Sequence, residues 1–579
     1  MSTQKWIIAI VAAIILLGWP WLTEDKFFHH VGVLILLTSI AASSLHLIIR
    51  IGHVSLCHTA FMGFGAYGSV IAVMNFGMPW PVGLLAGTAL AAAVAAVIGP
   101  IVLRLTGKYF VLITFLMGEV VRMAIIENSS ITGGSNGIFN VPPPYPFLTS
   151  NRAYYYFALA FAVFGIGLCA RILTSEFGRA INAIREGERL AECSGVPVIR
   201  FKVMVFVIAC ALAGMAGSLQ GHYIKFVGPD AYSGFQSLNL VVMNVIGGMS
   251  SLIGALIGTV FMVTLPELLR GYVNLQQIMF GAILFATMAF LPGGIIELFR
   301  RLRVLLAPSN STHSKPGTCH VTGLLTVERL CKNFGGLQAV SDLSFHVDEA
   351  EILGIIGPNG AGKTTAVNLI SGAIEPSSGR VLLAGHEVTG LSPHTLVDKG
   401  LVRTFQATTV YAAQTVRENL LRGAFRQIYP GLLATLFDSG GARAARERAN
   451  VHVDEVMRWL DLTRVEHHVA SSLPYGLQKV LGMGIGLAAE PHLIMLDEPA
   501  AGLSAEETDH VRDTIREVRK RGIAVVVIDH NMRFIADLCD RVLVMAQGSE
   551  LARGKPQEVL RNPQVIEAYL GKRYAQAQH

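Results

Sequence analysis

The chain has 579 residues, enough for two or more domains, with 52% hydrophobic residues, 15% charged residues and a formal net charge of +6. Residues 1–305 hold 11 acidic and 18 basic residues, whereas residues 306–579 hold 29 acidic and 28 basic residues. The net positive charge therefore lies in the first half, which is also the more apolar one. The polar half has no basic excess, which argues against nucleic acid as a partner, and seven cysteines without CxxC spacing predict reduced, structural thiols.

Long runs without acidic or basic residues indicate membrane-spanning helices, which need about 20 apolar residues each. Two runs are interrupted, at "NFGMPWP" (75–81) and "GGMSS" (247–251), and each is predicted to form two spans, the second pair short enough to be re-entrant. Residues 109–126, which include Glu119 and Arg122, add one more and bring the predicted total to ten. The uncharged runs are 6–23, 27–49, 51–103, 153–170, 203–224, 231–266 and 271–296.

The lysines and arginines of the loops predict the orientation of these spans, because such residues concentrate on the cytoplasmic side. With ten spans and the N-terminus inside, the cytoplasmic loops hold thirteen of them and the outer loops four. The sequence therefore predicts an all-α polytopic domain in the lipid bilayer over residues 1–305, followed by a cytoplasmic half. The first run lacks a small-residue cleavage site, which favours a retained anchor helix over a signal peptide.

Some polar and small residues of the membrane half have two interpretations. Glu119 and Arg122 lie three residues apart on one helix face, where a structural ion pair is favoured over contact with a transported substrate. Glycines such as Gly65, Gly214 and Gly217 are predicted to allow close packing of helices.

One segment between predicted spans has mixed charge and helical periodicity, "SEFGRAINAIREGERLAECSGVPVIRFK" (175–202). Ala180, Ile181, Ile184 and Leu190 would form an apolar stripe along it. A solvated helix at the lipid surface would account for this pattern. Its place on the same side as the cytoplasmic half favours a lever that docks there.

A polar stretch rich in Ser, Thr, Pro and Gly, "APSNSTHSKPGTCHVTG" (307–323), predicts a flexible linker. The predicted organisation is a membrane domain (1–305), a linker (306–323), an ATP-binding domain (324–573) and a tail (574–579). After the linker, short β-rich runs alternate with helical stretches, and "EILGIIG", "HLIMLD" and "IAVVVID" are apolar throughout. Such continuity predicts a parallel sheet that is buried on both faces, as in α/β domains; "LLTVERL" and "RVLVMAQ" are further strand candidates.

The stretch "IIGPNGAGKTTAVNLI" (355–370) follows a predicted strand and opens a helix, the context of a phosphate-binding P-loop. Its glycines would let backbone N–H groups close on phosphate oxygens, while Lys363 would reach the β- and γ-phosphates of ATP and Thr364 would hold Mg²⁺. The predicted nucleotide contacts are Gly357, Pro358, Asn359, Gly360, Ala361, Gly362, Lys363, Thr364 and Thr365.

The strand "HLIMLDEP" (492–499) ends in two acids. Asp497 is predicted to bind Mg²⁺ through water, and Glu498 to orient or deprotonate the water that attacks ATP. Together with the P-loop upstream, this pair predicts an ATP hydrolase.

These motifs, in this order, resemble the ATPase of ABC transporters. The resemblance implies that Gln406 of "RTFQ" lies near Mg²⁺ and the coupling interface and that His530 of "VVVIDHNM" contacts the γ-phosphate. It also implies that Phe334 stacks on adenine. "LPYGLQK" (473–479) stands in the place of the family signature, so that Tyr475 and Gly476 would complete the nucleotide site of a second ATPase, and "AAGLS" (500–504) stands in the place of the D-loop.

The signature departs from the usual Leu-Ser-Gly-Gly-Gln. Pro474 offers neither a hydroxyl nor an N–H group to a phosphate, Leu477 lacks the glutamine amide, and Ser504 replaces the D-loop aspartate. The composite site served by this signature is therefore expected to be slow or degenerate, whereas the site that uses Lys363 and Glu498 is expected to be intact.

The membrane half resembles the permeases of branched-chain amino acid ABC importers, through "GHVSLCHTAFMGFGAYGS" (52–69), "ITGGSNGI" (131–138), "LAGMAGSLQ" (212–220) and "VIGGMSSLIGALIG" (245–258). The resemblance makes 178–197 the coupling helix. It implies an inner-membrane importer of branched-chain or related amino acids, or of amides such as urea. An external binding protein would deliver the substrate, and a second permease and ATPase would complete the assembly.

Two alternatives remain open at this point. An exporter half-transporter would have six long spans and would need no binding protein. The ten compact spans predicted here do not fit that architecture. A nucleotide-gated channel would bind ATP without steady turnover, and the altered signature gives this alternative some support.

Overall fold

The computed structural model describes residues 16–21, 25–249, 251–268, 281, 323–334, 337–358, 360–404 and 410–570. The chain divides into two compact units, Met1–Arg185 with Ile199–Pro308 and Glu186–Val198 with Ser309–His579. The predicted spans 6–23 and 271–296, the linker 306–323 and the tail 574–579 lie mostly or wholly outside the described residues.

The first unit is a helical domain with a pair of two-residue strands, Ile138–Phe139 and Phe226–Val227. Short helical turns occur at Ser129–Thr132, Gly134–Asn136 and Pro229–Tyr232. Its longer helices, with α7 belonging to the second unit, are α1 (Lys26–Arg50), α2 (His58–Met74), α3 (Trp80–Val102), α4 (Gly107–Glu127), α5 (Asn151–Thr174), α6 (Glu176–Glu186), α7 (Glu188–Cys193), α8 (Val198–Ile224), α9 (Gly234–Gly247) and α10 (Leu252–Leu268).

Five helices among the described residues are long and apolar enough to cross a membrane, namely α1, α3, α4, α5 and α8. A sixth is reached if α9 and α10, which meet at a sharp bend, count as one broken span. The interruptions predicted at 75–81 and 247–251 coincide with the breaks between α2 and α3 and between α9 and α10. The total of ten spans stays a prediction.

The predicted pair of Glu119 and Arg122 forms, with 2.8 Å between Arg122 Nε and Glu119 Oε2. The second carboxylate oxygen of Glu119 accepts a hydrogen bond from Gly234 N at 3.0 Å, and Arg122 also reaches Asp230 at 3.3 Å. The pair therefore fixes the start of α9 against α4, which is the structural role favoured from the sequence.

Glycines bring the backbones of α2, α3 and α8 into direct contact. A Cβ atom added at Gly65 would lie 1.9 Å from the carbonyl oxygen of Gly214, and one added at Gly217 would lie 2.0 Å from that of Met62. Both separations are far below van der Waals contact, so these positions accept no side chain unless the helices move apart. The prediction of close packing is confirmed.

We expect Gly217→Ala to lower the thermal stability of the membrane unit by about 1–3 kcal/mol, because a methyl group would be forced against the backbone of α2. Gly167→Ala is the matched control, since a Cβ atom there meets nothing within 4 Å. Thermal unfolding in detergent measures the difference; equal melting temperatures for the two variants would contradict the packing argument.

The second unit contains two sheets. The six-stranded sheet has the order β10-β9-β3-β8-β7-β6 and the four-stranded sheet the order β2-β1-β4-β5. The strands are β1 (Leu325–Phe334), β2 (Leu337–Val347), β3 (Ile352–Ile356), β4 (Ser378–Leu383), β5 (His386–Glu387), β6 (Leu401–Arg403), β7 (Leu493–Asp497), β8 (Ala524–Ile528), β9 (Arg541–Ala546) and β10 (Ser549–Gly554).

The three apolar runs of the sequence form adjacent parallel strands, β3, β8 and β7, in which every residue is buried. The prediction of a buried parallel sheet is confirmed. β9 is parallel to β3, and β10 closes that side of the sheet in antiparallel pairing. The second sheet is antiparallel throughout, and only its first strand was predicted.

Helices cover the six-stranded sheet and complete the unit. Short 3₁₀ turns occur at Thr463–Val465 and Ala470–Ser472. The helices are α11 (Lys363–Ile370), α12 (Pro393–Asp398), α13 (Val416–Gly423), α14 (Phe425–Ile428), α15 (Leu432–Leu436), α16 (Gly440–Trp459), α17 (Tyr475–Leu487), α18 (Ala505–Lys520), α19 (Met532–Leu538), α20 (Pro556–Val559) and α21 (Pro563–Leu570).

The coupling helix expected over 178–197 is two helices, α6 and α7, so the expectation of one helix is wrong. Gly187 is extended, with φ −175° and ψ 104°, and serves as the N-cap of α7. Glycine has no Cβ atom and disfavours a helix interior, which explains the break at this point. In the stripe predicted from the sequence, Ala180, Ile181 and Ile184 of α6 are buried and Leu190 of α7 is half-buried.

Candidate functional site

Three loops that follow buried strands form the centre of the site. Because parallel strands end at the same edge of a sheet, the loops after β3, β7 and β8 lie side by side. They carry the P-loop, the acidic pair that ends β7 and the histidine that follows β8.

The P-loop takes backbone conformations that favour glycine. Gly360 and Gly362 have φ values of 81° and 93°, and a Cβ atom at Gly362 would lie 2.4 Å from the carbonyl oxygen of Ala339. Lys363 begins α11, and its Nζ donates to the carbonyl oxygens of Gly357 at 2.6 Å and Pro358 at 3.0 Å. The ammonium group is thus held by the loop that would surround a phosphate.

Burial lowers the pKa of Lys363, while the nearby carboxylates of Glu498 and Asp497 act in the opposite direction. The lysine therefore lies within electrostatic reach of the acidic pair. Thr364 is exposed and Thr365 is half-buried at the first turn of α11, while Ala361 is buried beneath the loop.

Asp497 forms a buried ion pair that the sequence did not predict. Arg403, at the end of β6, places Nη2 3.1 Å from Asp497 Oδ2, and both side chains are at least nine-tenths buried. The other arm of the guanidinium donates to Asn368 at 2.5 Å and to Ser371 at 3.1 Å, both at the C-terminal end of α11. Burial raises the pKa of Asp497, and Arg403 opposes that rise.

Glu498 and His530 face each other, with 3.8 Å between Glu498 Oε1 and His530 Nδ1. Glu498 has a left-handed backbone with φ 49°, uncommon for a residue other than glycine. Its N–H donates to the carbonyl oxygen of Ile528 at 2.7 Å. The buried carboxylate of Asp529 accepts N–H groups from Ala500 at 3.2 Å and Asn531 at 2.9 Å, which fixes the loop that carries the exposed His530.

Tyr475 and Gly476 begin α17, after Pro474 as N-cap. Gly476 N donates to Glu507 Oε1 at 3.1 Å, and Glu507 Oε2 accepts from Ser504 N at 3.0 Å. Ser504, which replaces the expected aspartate, forms a capping box with Glu507 at the start of α18. The Ser504 N–H and hydroxyl, followed by Gly476 N–H, lower the pKa of Glu507.

The structure brings Lys363, Asp497, Glu498 and His530 together. Phe334 lies on another element, at the end of β1, where its exposed ring lies 5.3 Å from Lys332 Nζ. Asn359 and Gln406 fall outside the described residues. The sequence did not predict that Arg403 and Lys479 are partners of the acidic pair. Both residues lie inside quoted motifs, "RTFQ" and "LPYGLQK", but a short sequence pattern does not show whether a charged side chain is buried.

Residues 186–198, here called the coupling segment, contact the part of the second unit that runs from α12 to α14. Gln414 Nε2 donates to Glu186 Oε1 at 3.0 Å. Gly195, with φ 82°, packs so closely that an added Cβ atom would lie 3.3 Å from Val397 of α12. Burial raises the pKa of Cys193 to about 12, and Arg403 lies near enough to oppose that rise.

Three family models match this chain. "Branched-chain amino acid transport system / permease component" matches residues 29–291, "ABC transporter" residues 340–501, and "Branched-chain amino acid ATP-binding cassette transporter" residues 550–575.

Similar proteins match the second half of the chain. The high-affinity branched-chain amino acid transport ATP-binding protein BraF of Pseudomonas aeruginosa is 37% identical over 250 residues, which cover 43% of this chain and 98% of BraF. LivG of Escherichia coli, an ATP-binding protein of the same description, is 38% identical over 253 residues, with the same coverage. A solved nucleotide-free ATP-binding cassette from an ABC transporter is 30% identical, covers 43% of this chain and 100% of its own, and has a TM-score of 0.38.

We expect Arg403→Met to destabilise the second unit by about 3–5 kcal/mol, because Asp497 would remain buried without its counter-charge. Loss of the guanidinium raises the pKa of Asp497 further, so the deficit should shrink as the pH falls and the carboxyl group becomes neutral. Urea unfolding of the full chain at mildly alkaline and mildly acidic pH measures both effects.

Arg380→Met serves as the control, since its 2.9 Å pair with Glu328 is exposed on both sides, and exposed pairs contribute at most about 1 kcal/mol. The double variant Arg403→Met/Asp497→Asn should recover part of the lost stability. A loss no larger than that of Arg380→Met would contradict the buried pair.

Proposed function

Because the chain belongs to the branched-chain amino acid ABC transporters, with permease and ATP-binding components in one polypeptide, we propose that it is the fused subunit of an ATP-driven importer. It is a membrane protein with a cytoplasmic ATPase domain, and ATP hydrolysis is coupled to its transport. The observation that carries the proposal is the meeting of Lys363, Asp497, Glu498 and His530 at one sheet edge, in a chain that also carries the permease.

The site residues fit ATP with Mg²⁺. The exposed hydroxyl of Thr364 and the carboxylate of Asp497 are oxygen donors of the kind that Mg²⁺ prefers, and the family resemblance adds Gln406. No group of three His, Cys, Asp or Glu side chains converges within the described part of the chain. The metal would therefore take its other ligands from phosphate and water and, when bound, would neutralise charge on the phosphates.

Each site residue has one proposed role. Lys363 and the P-loop N–H groups bind the phosphates, and the ring of Phe334 stacks on adenine. Glu498 orients or deprotonates the attacking water, with His530 beside it to contact the γ-phosphate. Tyr475 and Gly476 serve the nucleotide of a second ATPase.

The proposed cargo is a branched-chain or related amino acid, or a small amide such as urea, handed over by an external binding protein at the inner membrane. A second permease and ATPase, from another copy or from related subunits, would complete the assembly. The coupling segment supports energy transfer, because it packs on the ATP-binding fold while the chain on either side of it belongs to the membrane unit. Pro474, which has no N–H group for a phosphate, favours a nucleotide-gated channel as the second candidate.

We expect Lys363→Ala to reduce ATP-dependent uptake of labelled leucine, isoleucine or valine to background. Removal of one preorganised donor to developing charge lowers hydrolysis by about 10²–10³-fold. Uptake by cells that depend on this chain is the measurement, and Lys555→Ala, which removes an exposed lysine, is the control.

Hydrolysis by the purified assembly in proteoliposomes separates the candidates. An importer predicts stimulation by substrate-loaded binding protein, whereas a channel predicts slow hydrolysis that this protein does not change. Undiminished uptake by the Lys363→Ala variant would refute the role of the P-loop.

We expect Gly195→Val to uncouple the transporter, so that hydrolysis continues while uptake per ATP falls. The substitution strains a residue at φ 82° and drives a side chain against Val397. Gly385→Val imposes similar backbone strain, at φ 77°, but a Cβ atom there meets nothing within 4 Å. This control should leave the ratio of uptake to ATP hydrolysis unchanged. Equal ratios of uptake to hydrolysis in both variants would contradict the role of the coupling segment.

A further inference from the structure

Lys479 joins the signature helix α17 to the residue proposed to activate water. It lies one helical turn after Tyr475, and its Nζ donates to the backbone carbonyl oxygen of Glu498 at 3.2 Å. The lysine is 8% exposed, and its Nζ lies 5.7 Å from the centre of the Tyr475 ring. A buried ammonium group thus lies between the signature and the catalytic strand of the same chain.

Glu498 needs this support because of its backbone. A residue other than glycine in the left-handed region is strained and persists only where its surroundings hold it. Here the N–H group of Glu498 donates to Ile528 of β8, and its carbonyl oxygen accepts from Ala501 N at 3.3 Å within the same loop and from Lys479 of α17. Lys479 is thus the contact that ties the backbone of Glu498 to α17.

The start of α17 is held by a bond that an incoming phosphate would replace. Gly476 N donates to the carboxylate of Glu507, an anion of the same chain. A Cβ atom at Gly476 would lie only 2.7 Å from that carboxylate oxygen, so the two groups are packed tightly. A phosphate that took this N–H group would repel the carboxylate of Glu507, and the first turn of α17, which directly precedes Lys479, would have to shift.

We propose that Lys479 is a positioning residue that transmits occupancy of the signature, which serves the second ATPase, to Glu498, which serves the nucleotide of this chain. Binding at one site then sets the rate of hydrolysis at the other. The inference rests on the proposed function, because it needs two facing ATPases and Glu498 as the residue that activates water.

The test compares Lys479→Met, Lys479→Arg and Lys520→Met in the assembled transporter in lipid nanodiscs, with MgATP as ligand. Lys520 is an exposed lysine paired with Glu517, so its loss controls for the substitution itself. Lys479→Met should lower kcat by about tenfold, the effect of losing one hydrogen bond from a charged group. The Kd for nucleotide should stay within about twofold, since Lys479 donates to the Glu498 backbone and Lys363 still binds the phosphates, and the Hill coefficient for ATP should fall to about 1.

Lys479→Arg keeps a cation in reach of the Glu498 carbonyl and should restore most of kcat and the cooperativity. The proposal is overturned if Lys479→Met retains both kcat and cooperativity, or if the wild-type Hill coefficient is already 1. It is also overturned if Lys479→Met loses nucleotide binding and thermal stability together and Lys479→Arg restores neither, because the lysine would then be structural only.

Glu498→Gln, measured in parallel, separates this inference from the function on which it rests. Full hydrolysis by Glu498→Gln would refute the proposed role of Glu498. Loss of hydrolysis in Glu498→Gln together with an unchanged Lys479→Met would refute only the link through Lys479.

Discussion

The whole nucleotide site depends on the parallel pairing of β3, β8 and β7. Each strand is buried along its full length, so its register against its neighbours is fixed by the requirement that every backbone group find a partner away from water. That register brings a glycine-rich turn, an acidic pair and a histidine to one edge. The helices around the sheet exclude water from the strands, and the residues of the nucleotide site lie at the ends of the strands and in the loops that follow them.

At that edge, carboxylates lie close to the positively charged side chains of Arg403 and Lys479. Three carboxylates, those of Asp497, Glu498 and Asp529, share a small region with the cations of Lys479 and Arg403. Taking any one of these charges out of water is unfavourable unless its partners are placed at the same time. The arrangement is therefore cooperative, because the cations from β6 and α17 and the carboxylates must be placed together.

The sequence predicted those features of the molecule that depend on residues close together in the chain. Apolar runs bounded by Gly and Pro marked the break between α2 and α3 and the bend after Gly247, because these residues interrupt a helix wherever they stand. The P-loop and the acids at the end of β7 were equally visible, since their chemistry requires fixed spacing along the chain.

What the sequence could not predict are contacts between distant residues. Arg403 and Asp497 are 94 positions apart, and Gly476 and Glu507 are 31 apart; nothing local distinguishes these side chains from solvated ones. The strands β2, β4 and β5 of the antiparallel sheet were missed as well, because none of them is an uninterrupted apolar run and the pairing of β2 and β4 with β1 contains register shifts. The extended conformation of Gly187 was missed because the flanking residues all suit a helix.

The coupling segment has a consequence for how the polypeptide holds together. The chain enters the second unit at residue 186, leaves it after residue 198 and returns beyond residue 308, so the two units are joined at three points. Because the segment and the ATP-binding fold belong to one polypeptide, their contact forms within one molecule and needs no association of separate chains. The permease and the ATP-binding components are therefore always synthesised in equal amounts, in a fixed ratio of one to one.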